Sequence, residues 1–211
     1  MKALVLAADS SENMKPLTLD LPKSELEVSE SILLERTLRR IEQAGCSEAI
    51  IAVNNSSNQV INAVSAMSFE SLVCSFSIES EPLENGGRLL QARDLLGEEP
   101  FLLVDIAIST DLEFSELVCK GVPDNKLARL VFVPKAAHHA KEYFSLSKGG
   151  GLSFTFDETF TGDEVTFSGI GMIDPYLIDR YAPDFAQFPL ISLLAPAIHQ
   201  GLACGELYDR A

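Results

Sequence analysis

The residues of this chain that could do chemistry sit at the ends of apolar runs. The run "KALVLAA" ends at Ala7 and Ala8 and gives way to Asp9, Ser10, Ser11, Glu12 and Asn13. A polar loop after a buried strand is a common place for a phosphate, and glycine there lets backbone N–H groups approach the anion. This loop carries two acids and no glycine. Unit charges about 4 Å apart repel by about 4 kcal/mol at an effective dielectric near 20, so Asp9 and Glu12 oppose a polyphosphate. Lys23, just after Pro22, is either a cation for an anion or a solvated lysine in a loop. Asp105, near the end of "PFLLVDIAI", is either a metal ligand or an acid hydrogen-bonded at a strand end. Asp111 reads as the N-cap of a helix over "DLEFSELV". Glu84, Gly86 and Gly87 open a helix that either receives the edge of a base or ribose or simply packs. Arg88 stands where it could pair with Asp9 or Glu12.

Other reactive types carry less. His138 and His139 are adjacent and diverge on a strand or turn, with no cysteine or acid pattern to make a metal site. His199 reads as a surface or packing residue. Cys46, Cys74, Cys119 and Cys204 are far apart, with no C-x-x-C pair, which favours buried thiols over zinc.

Composition narrows the class. The chain has 211 residues, 46% of them hydrophobic, and a formal net charge of -15. That charge argues against nucleic acid and anionic membranes as partners, because both require basic surface. It leaves room for a small phosphorylated ligand held by a local positive site. No apolar run reaches the eighteen or so residues that cross a bilayer, and the apolar start is too short for a signal peptide. A cytoplasmic protein is expected.

These groups need elements to hold them. "KALVLAA", "EAIIAV", "LVCSFSI" and "PFLLVDIAI" are nearly continuous apolar runs, as in a parallel sheet buried on both faces. Between them, Leu34, Leu38 and Ile41, with Gly45 as the stop, repeat at helical spacing, as do Val60, Ile61, Val64 and Met67. "GGRLLQARDLL" is a further helix. Alternation of strand and helix through residue 109 predicts an α/β fold with a mixed, mostly parallel sheet flanked by helices. The second half predicts strands at "LARLVFV", "EYFSLS", "GLSFTF" and "EVTFSGIGMI", and helices near 175–181 and 188–200. Glycines in "SKGGGLSF" suit a hairpin turn. The expectation is a single domain over 1–211, its second half completing the sheet and adding a small antiparallel lobe. Ligands of open parallel sheets bind at the carboxyl ends of the strands. That rule points to Ala7–Lys23, Glu79–Arg88, Asp105–Asp111 and Thr166–Gly171.

Those places carry a resemblance. "MKALVLAA…MKPLTLDLPK", "SEPLENGG", "PFLLVDIAISTD" and "TFSGIGMIDP" together resemble the sugar-1-phosphate nucleotidyltransferases. The branch is that of the N-acetylmuramate-1-phosphate uridylyltransferases and mannose-1-phosphate guanylyltransferases. The resemblance runs along nearly the whole chain and implies a nucleotidyltransferase-like, Rossmann-like fold. It implies attack by a sugar phosphate on a nucleoside triphosphate, helped by loop glycines, a loop arginine, a lysine and Mg²⁺ held by two aspartates. Here the loop glycines fall at Asp9 and Ser11, and the loop arginine at Asn13. One metal aspartate falls at Ala107, and the motif of the other lies past Ala211. Lys23 is kept as a residual catalytic position. Ala7, Ala8, Glu84, Gly86, Gly87, Ser168 and Gly169 are kept as substrate-binding positions, and Asp105 stands as a displaced metal ligand.

The expected function is a degenerate nucleotidyltransferase-like protein that binds a nucleotide or sugar phosphate, or regulates a homologous active subunit, with no cofactor. The alternative is an active enzyme using Mg²⁺ in an altered site of Lys23, Asp105 and Asp111. A fragment of a longer chain would explain the missing second aspartate but not Asp9, Ser11, Asn13 and Ala107.

Overall fold

A computed structural model describes residues 1–7, 23–54, 58–106, 111–135, 144–155, 157 and 159–209. The elements run β1 (Lys2–Leu6), α1 (Lys23–Gln43), β2 (Glu48–Asn54), α2 (Asn58–Ala66), β3 (Val73–Glu79), α3 (Asn85–Gln91), α4 (Arg93–Leu96) and β4 (Phe101–Asp105). They continue α5 (Phe114–Lys120), β5 (Ala128–Pro134), β6 (Phe144–Leu146), β7 (Leu152–Phe154), β8 (Asp163–Ile173), α6 (Tyr176–Tyr181), α7 (Ile191–His199) and β9 (Ala203–Leu207).

The strands form one sheet in the order β3-β2-β1-β4-β8-β5-β9, with β6 on β8 and β7 on β6. The strands β1 to β4 are mutually parallel, β8 runs antiparallel to β4 and β5, and β9 is parallel to β5. Apolar runs without alternation become central strands because helices cover both faces. On one face Ala3, Val5, Ile51 and Val104 meet Leu34, Leu38 and Ile41 of α1, Val64 of α2 and Leu117 of α5. On the other, Leu4, Leu6, Ile50 and Leu103 meet Leu89 of α3, Leu177 of α6 and Leu193 of α7. Gly45, in the turn from α1 to β2, has φ of 86°, a conformation glycine adopts without steric cost.

Two expectations change. The helix after β4 begins at Phe114 with Glu113 as its cap residue, and no side chain caps it. Asp111 is instead exposed, 3.5 Å from Arg36. Burial of Leu112 and Phe114 sets the path of the chain here and delays the helix past Asp111. The strand β9 was not foreseen in "ACGEL", which is short and has no β-branched residue. Pairing with β5 along Ala128–Phe132 makes it a strand, a case of tertiary context overriding propensity.

Candidate functional site

The sheet brings four strand ends together. Leu6 at the end of β1 lies between Ala52 of β2 and Asp105 of β4, and Asn54 pairs with Glu79. Successive side chains of a strand alternate between faces. Leu6, Ala52 and Leu103 lie in the core under α3 and α7. Asn54 and Asp105 stand two residues beyond Ala52 and Leu103, so they continue on that face, as does Glu79. Backbone bonds extend the pairing past the strands, from Ala7 N–H to the Ala52 carbonyl (3.1 Å) and from Ile106 N–H to the Leu6 carbonyl (3.3 Å).

Glu79 and Arg88 form the polar centre of this end. Both are buried, and Arg88 Nε donates to Glu79 Oε1 at 2.6 Å. The other carboxylate oxygen of Glu79 accepts Leu83 N–H at 3.0 Å, and Arg88 Nη1 donates to Asn85 Oδ1 at 2.7 Å. A buried charge is tolerable only when paired and hydrogen-bonded, and these bonds meet that condition. Among the described residues Arg88 is the only buried basic side chain.

Gly86 and Gly87 lie directly under the chain segment before α7. A Cβ on Gly87 would fall 2.0 Å from the Ala186 carbonyl oxygen, and one on Gly86 would fall 2.5 Å from the Phe188 ring. Gly87 N–H donates to the Phe188 carbonyl at 3.1 Å. Both glycines therefore let α3 dock closely on this segment. Glu84 is the exposed cap residue of α3 and makes no side-chain cap bond.

Ser168 and Gly169 make an irregularity in β8. The register with β5 shifts between Leu130 and Phe132, and Gly169 has φ of 71°. Ser168 Oγ, buried, donates to the Val131 carbonyl at 2.8 Å, a bond that ties the bulged strand to β5. The pair lies just past Ile170, which is opposite Val104, and so beside the carboxyl end of β4.

Ala7 is buried at the end of β1, on the face of α1. Lys23 opens α1. Ala8, Asp9, Glu12, Asn13, Ala107, His138 and His139 lie outside the described residues. His199 is exposed at the end of α7, its ring 5.2 Å from that of Phe154.

The structure thus gathers Ala7, Glu79, Arg88, Asp105, Ser168 and Gly169 at one end of the sheet. It places Asp111 apart, on Arg36. Sequence reasoning missed the Glu79–Arg88 pair. Its only trace is an acid ending an apolar run and a basic residue inside a helical one. Thr166, within the stretch that the carboxyl-end rule points to, and Tyr208, outside it, flank Val133 of β5, and their buried hydroxyls have no partner among the described residues.

The nucleotidyl transferase family profile matches residues 2–146. The chain belongs to that family. It is 33% identical to an N-acetylmuramate alpha-1-phosphate uridylyltransferase of Neisseria meningitidis serogroup B, over 85% of this chain and 78% of that one. It is 25% identical to a mannose-1-phosphate guanylyltransferase catalytic subunit beta of Dictyostelium discoideum, over 98% of this chain and 59% of that one. The fold matches a UDP-glucose pyrophosphorylase solved with UDP-glucose, at a TM-score of 0.71 and 14% identity, covering 99% and 90% of the two chains. This nucleotidyltransferase-family chain therefore has the mixed α/β architecture of sugar-nucleotide enzymes. No helix among its described residues is long and apolar enough to cross a membrane.

The family resemblance implies magnesium. None of the described residues form a cluster of three or more acidic, histidine or cysteine side chains able to hold a metal. Both carboxylate oxygens of Glu79 accept hydrogen bonds from the protein. Asp105, at the end of β4, offers one carboxylate to such an ion. Mg²⁺ commonly takes one or two carboxylates together with phosphate oxygens and water.

Proposed function

We propose that this protein binds a nucleotide or a sugar phosphate at the carboxyl ends of β1 and β4 and catalyses little or no nucleotidyl transfer. The observation that carries this reading is the charge balance at that end. Glu79 and Asp105 bring negative charge, and the buried cation, Arg88, is already engaged by Glu79 and Asn85. The sequence has Asp9, Ser11 and Asn13 where relatives of the resembling family carry glycine, glycine and arginine, adds the acid Glu12 beside them, and has Ala107 where they carry a metal-binding aspartate. Phosphoryl transfer depends on positioning and on charge stabilisation, and losing one stabilising cation can cost about 10³–10⁵ in rate. The packing that holds Gly86 and Gly87 under Phe188 keeps the scaffold intact, so binding can outlast chemistry.

A working magnesium-dependent transferase is the competing reading, favoured by the 33% identity to a uridylyltransferase. One experiment separates the two. The purified protein is offered each common nucleoside triphosphate with sugar-1-phosphates and Mg²⁺, while pyrophosphate release and the shift in Tm are both recorded. A ligand that binds only the native state raises Tm by mass action. A Tm shift without pyrophosphate supports the proposal; turnover above a Lys23→Ala control overturns it. A homologous active subunit is the macromolecular partner that this reading takes, and co-purification of that subunit with the tagged chain tests it.

A further inference from the structure

The two edges of the sheet are treated differently. At the β9 edge the chain covers itself. Gly205 N–H donates to the Gly150 carbonyl at 2.9 Å, and Leu146 and Leu152 of the β6–β7 hairpin press against Gly205. The β3 edge has no such cover among the described residues. Val73 N–H donates to Ser47 of the β2 side, so Val73, Ser75, Ser77 and Glu79 direct their backbone groups inward. By alternation Cys74, Phe76 and Ile78 present N–H and C=O outward. Of these groups, the Ile78 carbonyl is held, by Gln91 Nε2 at 2.6 Å.

Natural edge strands are usually blunted by lysine, proline, a bulge or brevity. The strand β3 has seven residues, pairs with β2 in unbroken register, and carries no charge from Val73 to Ile78. Val73 is 66% exposed and Ile78 is 47% exposed. Its pattern is close to palindromic about Phe76: serine on each side, then the apolar Cys74 and Ile78.

We propose that the outer edge of β3 is a contact between two copies of this chain, joined antiparallel about a two-fold axis at Phe76 so that the two sheets run on as one. An isologous two-fold contact requires a self-complementary surface, and the Ser-Phe-Ser centre supplies it. Phe76 faces Phe76 of the second copy, Ser75 faces Ser77, and Cys74 faces Ile78, with no charged pair opposed in the centre. Phe76 N–H groups bond the opposite Phe76 carbonyls, and Ile78 N–H groups bond the Cys74 carbonyls. Gln91 retains the Ile78 carbonyls. A single-strand contact is smaller than the roughly 1,200–2,000 Å² of a stable complex, so the dimer forms with rising concentration. Each copy carries a net charge of -15, so added salt screens their repulsion and strengthens the pair.

Light scattering after size exclusion, from low to high micromolar protein, tests the mass. The expected result is a monomer–dimer equilibrium moved toward dimer by salt and abolished by Ile78→Asp, with circular dichroism unchanged. A mass that stays monomeric throughout, or a dimer that survives Ile78→Asp, overturns the proposal. Register is read by cross-linking in a Cys119→Ser background. Opposed hydrogen-bonded residues have Cα atoms about 5.5 Å apart, within disulfide range. Ile78→Cys, oxidised with copper–phenanthroline, is expected to give a covalent dimer through Cys74. Burial pushes the Cys74 thiol up to about 11, so the oxidation is run at alkaline pH. Loss of the covalent dimer on adding Cys74→Ser supports the register; a covalent dimer that persists without Cys74 overturns it.

Discussion

Arg88 Nε lies 2.6 Å from Glu79 Oε1, with both side chains buried where the parallel strands end. Removing one member of such a pair strands the other charge, at about 3–5 kcal/mol, whereas replacing both with apolar groups is often near neutral. Glu79→Leu is therefore expected to lower unfolding stability by about that amount, and Glu79→Leu with Arg88→Met to recover most of it. Urea denaturation of the two variants checks this, and equal losses in both would contradict it.

The helix α3 is expected to tolerate no side chain at Gly87. A Cβ there meets the Ala186 carbonyl oxygen at 2.0 Å, while at Gly149 the nearest atom, Ser147 Oγ, is 4.0 Å from the added carbon. Gly149→Ala meets neither a clash nor a positive φ and should change stability by less than about 1 kcal/mol. Gly87→Ala overpacks against main chain, at about 1–3 kcal/mol or more, and α3 must shift. Thermal melts should rank Gly87→Ala well below Gly149→Ala; the reverse order would refute the docking of α3 on the Ala186–Phe188 segment.

A gain-of-binding variant tests whether chemistry or scaffold has been lost. Asp9→Gly, Ser11→Gly, Asn13→Arg and Ala107→Asp together remove acid from the loop, admit close backbone approach, and add a cation and a hard oxygen ligand. Calorimetric titration should show Mg²⁺-dependent binding of a nucleoside triphosphate by this variant and weaker binding by the parent. A folded variant that takes up no triphosphate would mean that the base-side pocket near Glu84 is also gone.

Acid should weaken one tie between the helices α4 and α6. Arg93 donates to both carboxylate oxygens of Asp179, at 2.7 and 2.8 Å, and these bonds hold the Asp179 carboxyl below the usual range. A carboxyl lowered on folding stabilises fully above its unfolded value, about 3.9, and loses that effect as pH falls through the lower folded value. The stability gap between the parent and Asp179→Asn should be open at neutral pH and narrow at an acid pH below about 3.9, as the carboxyl protonates in the folded chain. Paired urea midpoints at the two pH values measure it, and a gap that is constant with pH would assign the pair no role.

Much of the fold was legible because its signals are local. Leu34, Leu38 and Ile41 declared their helix by spacing, and "KALVL" declared a strand by apolar continuity. The carboxyl-end rule then brought Ala7, Glu79 and Asp105 to one end without any knowledge of the contacts. What stayed hidden depends on distant partners. Arg88 meets Glu79 only because α3 folds back on β3, and the glycines before it owe their identity to Ala186 and Phe188, nearly a hundred residues away. The strand over Ala203–Leu207 exists because β5 offers an edge, and Asp111 leaves the cap position because Leu112 and Phe114 are buried first. The residues most concerned with phosphate, Asp9 to Asn13 and Ala107, lie outside the described residues, so their part rests on chemistry read from the sequence.

The position of β8 between β4 and β5 has a consequence for how the chain is made. Residues 101–105 leave the ribosome early, but the strand that covers their outer side spans Asp163–Ile173. At synthesis rates of about 5–20 residues per second, the bare side of β4 waits roughly 3–14 s. During that time β5 has already emerged, and it can reach the sheet only after β8 has slotted in ahead of it. The nascent chain thus holds two sticky, half-finished strands at once, and its yield in the cell is expected to depend on a chaperone that shields them until residue 173 is out.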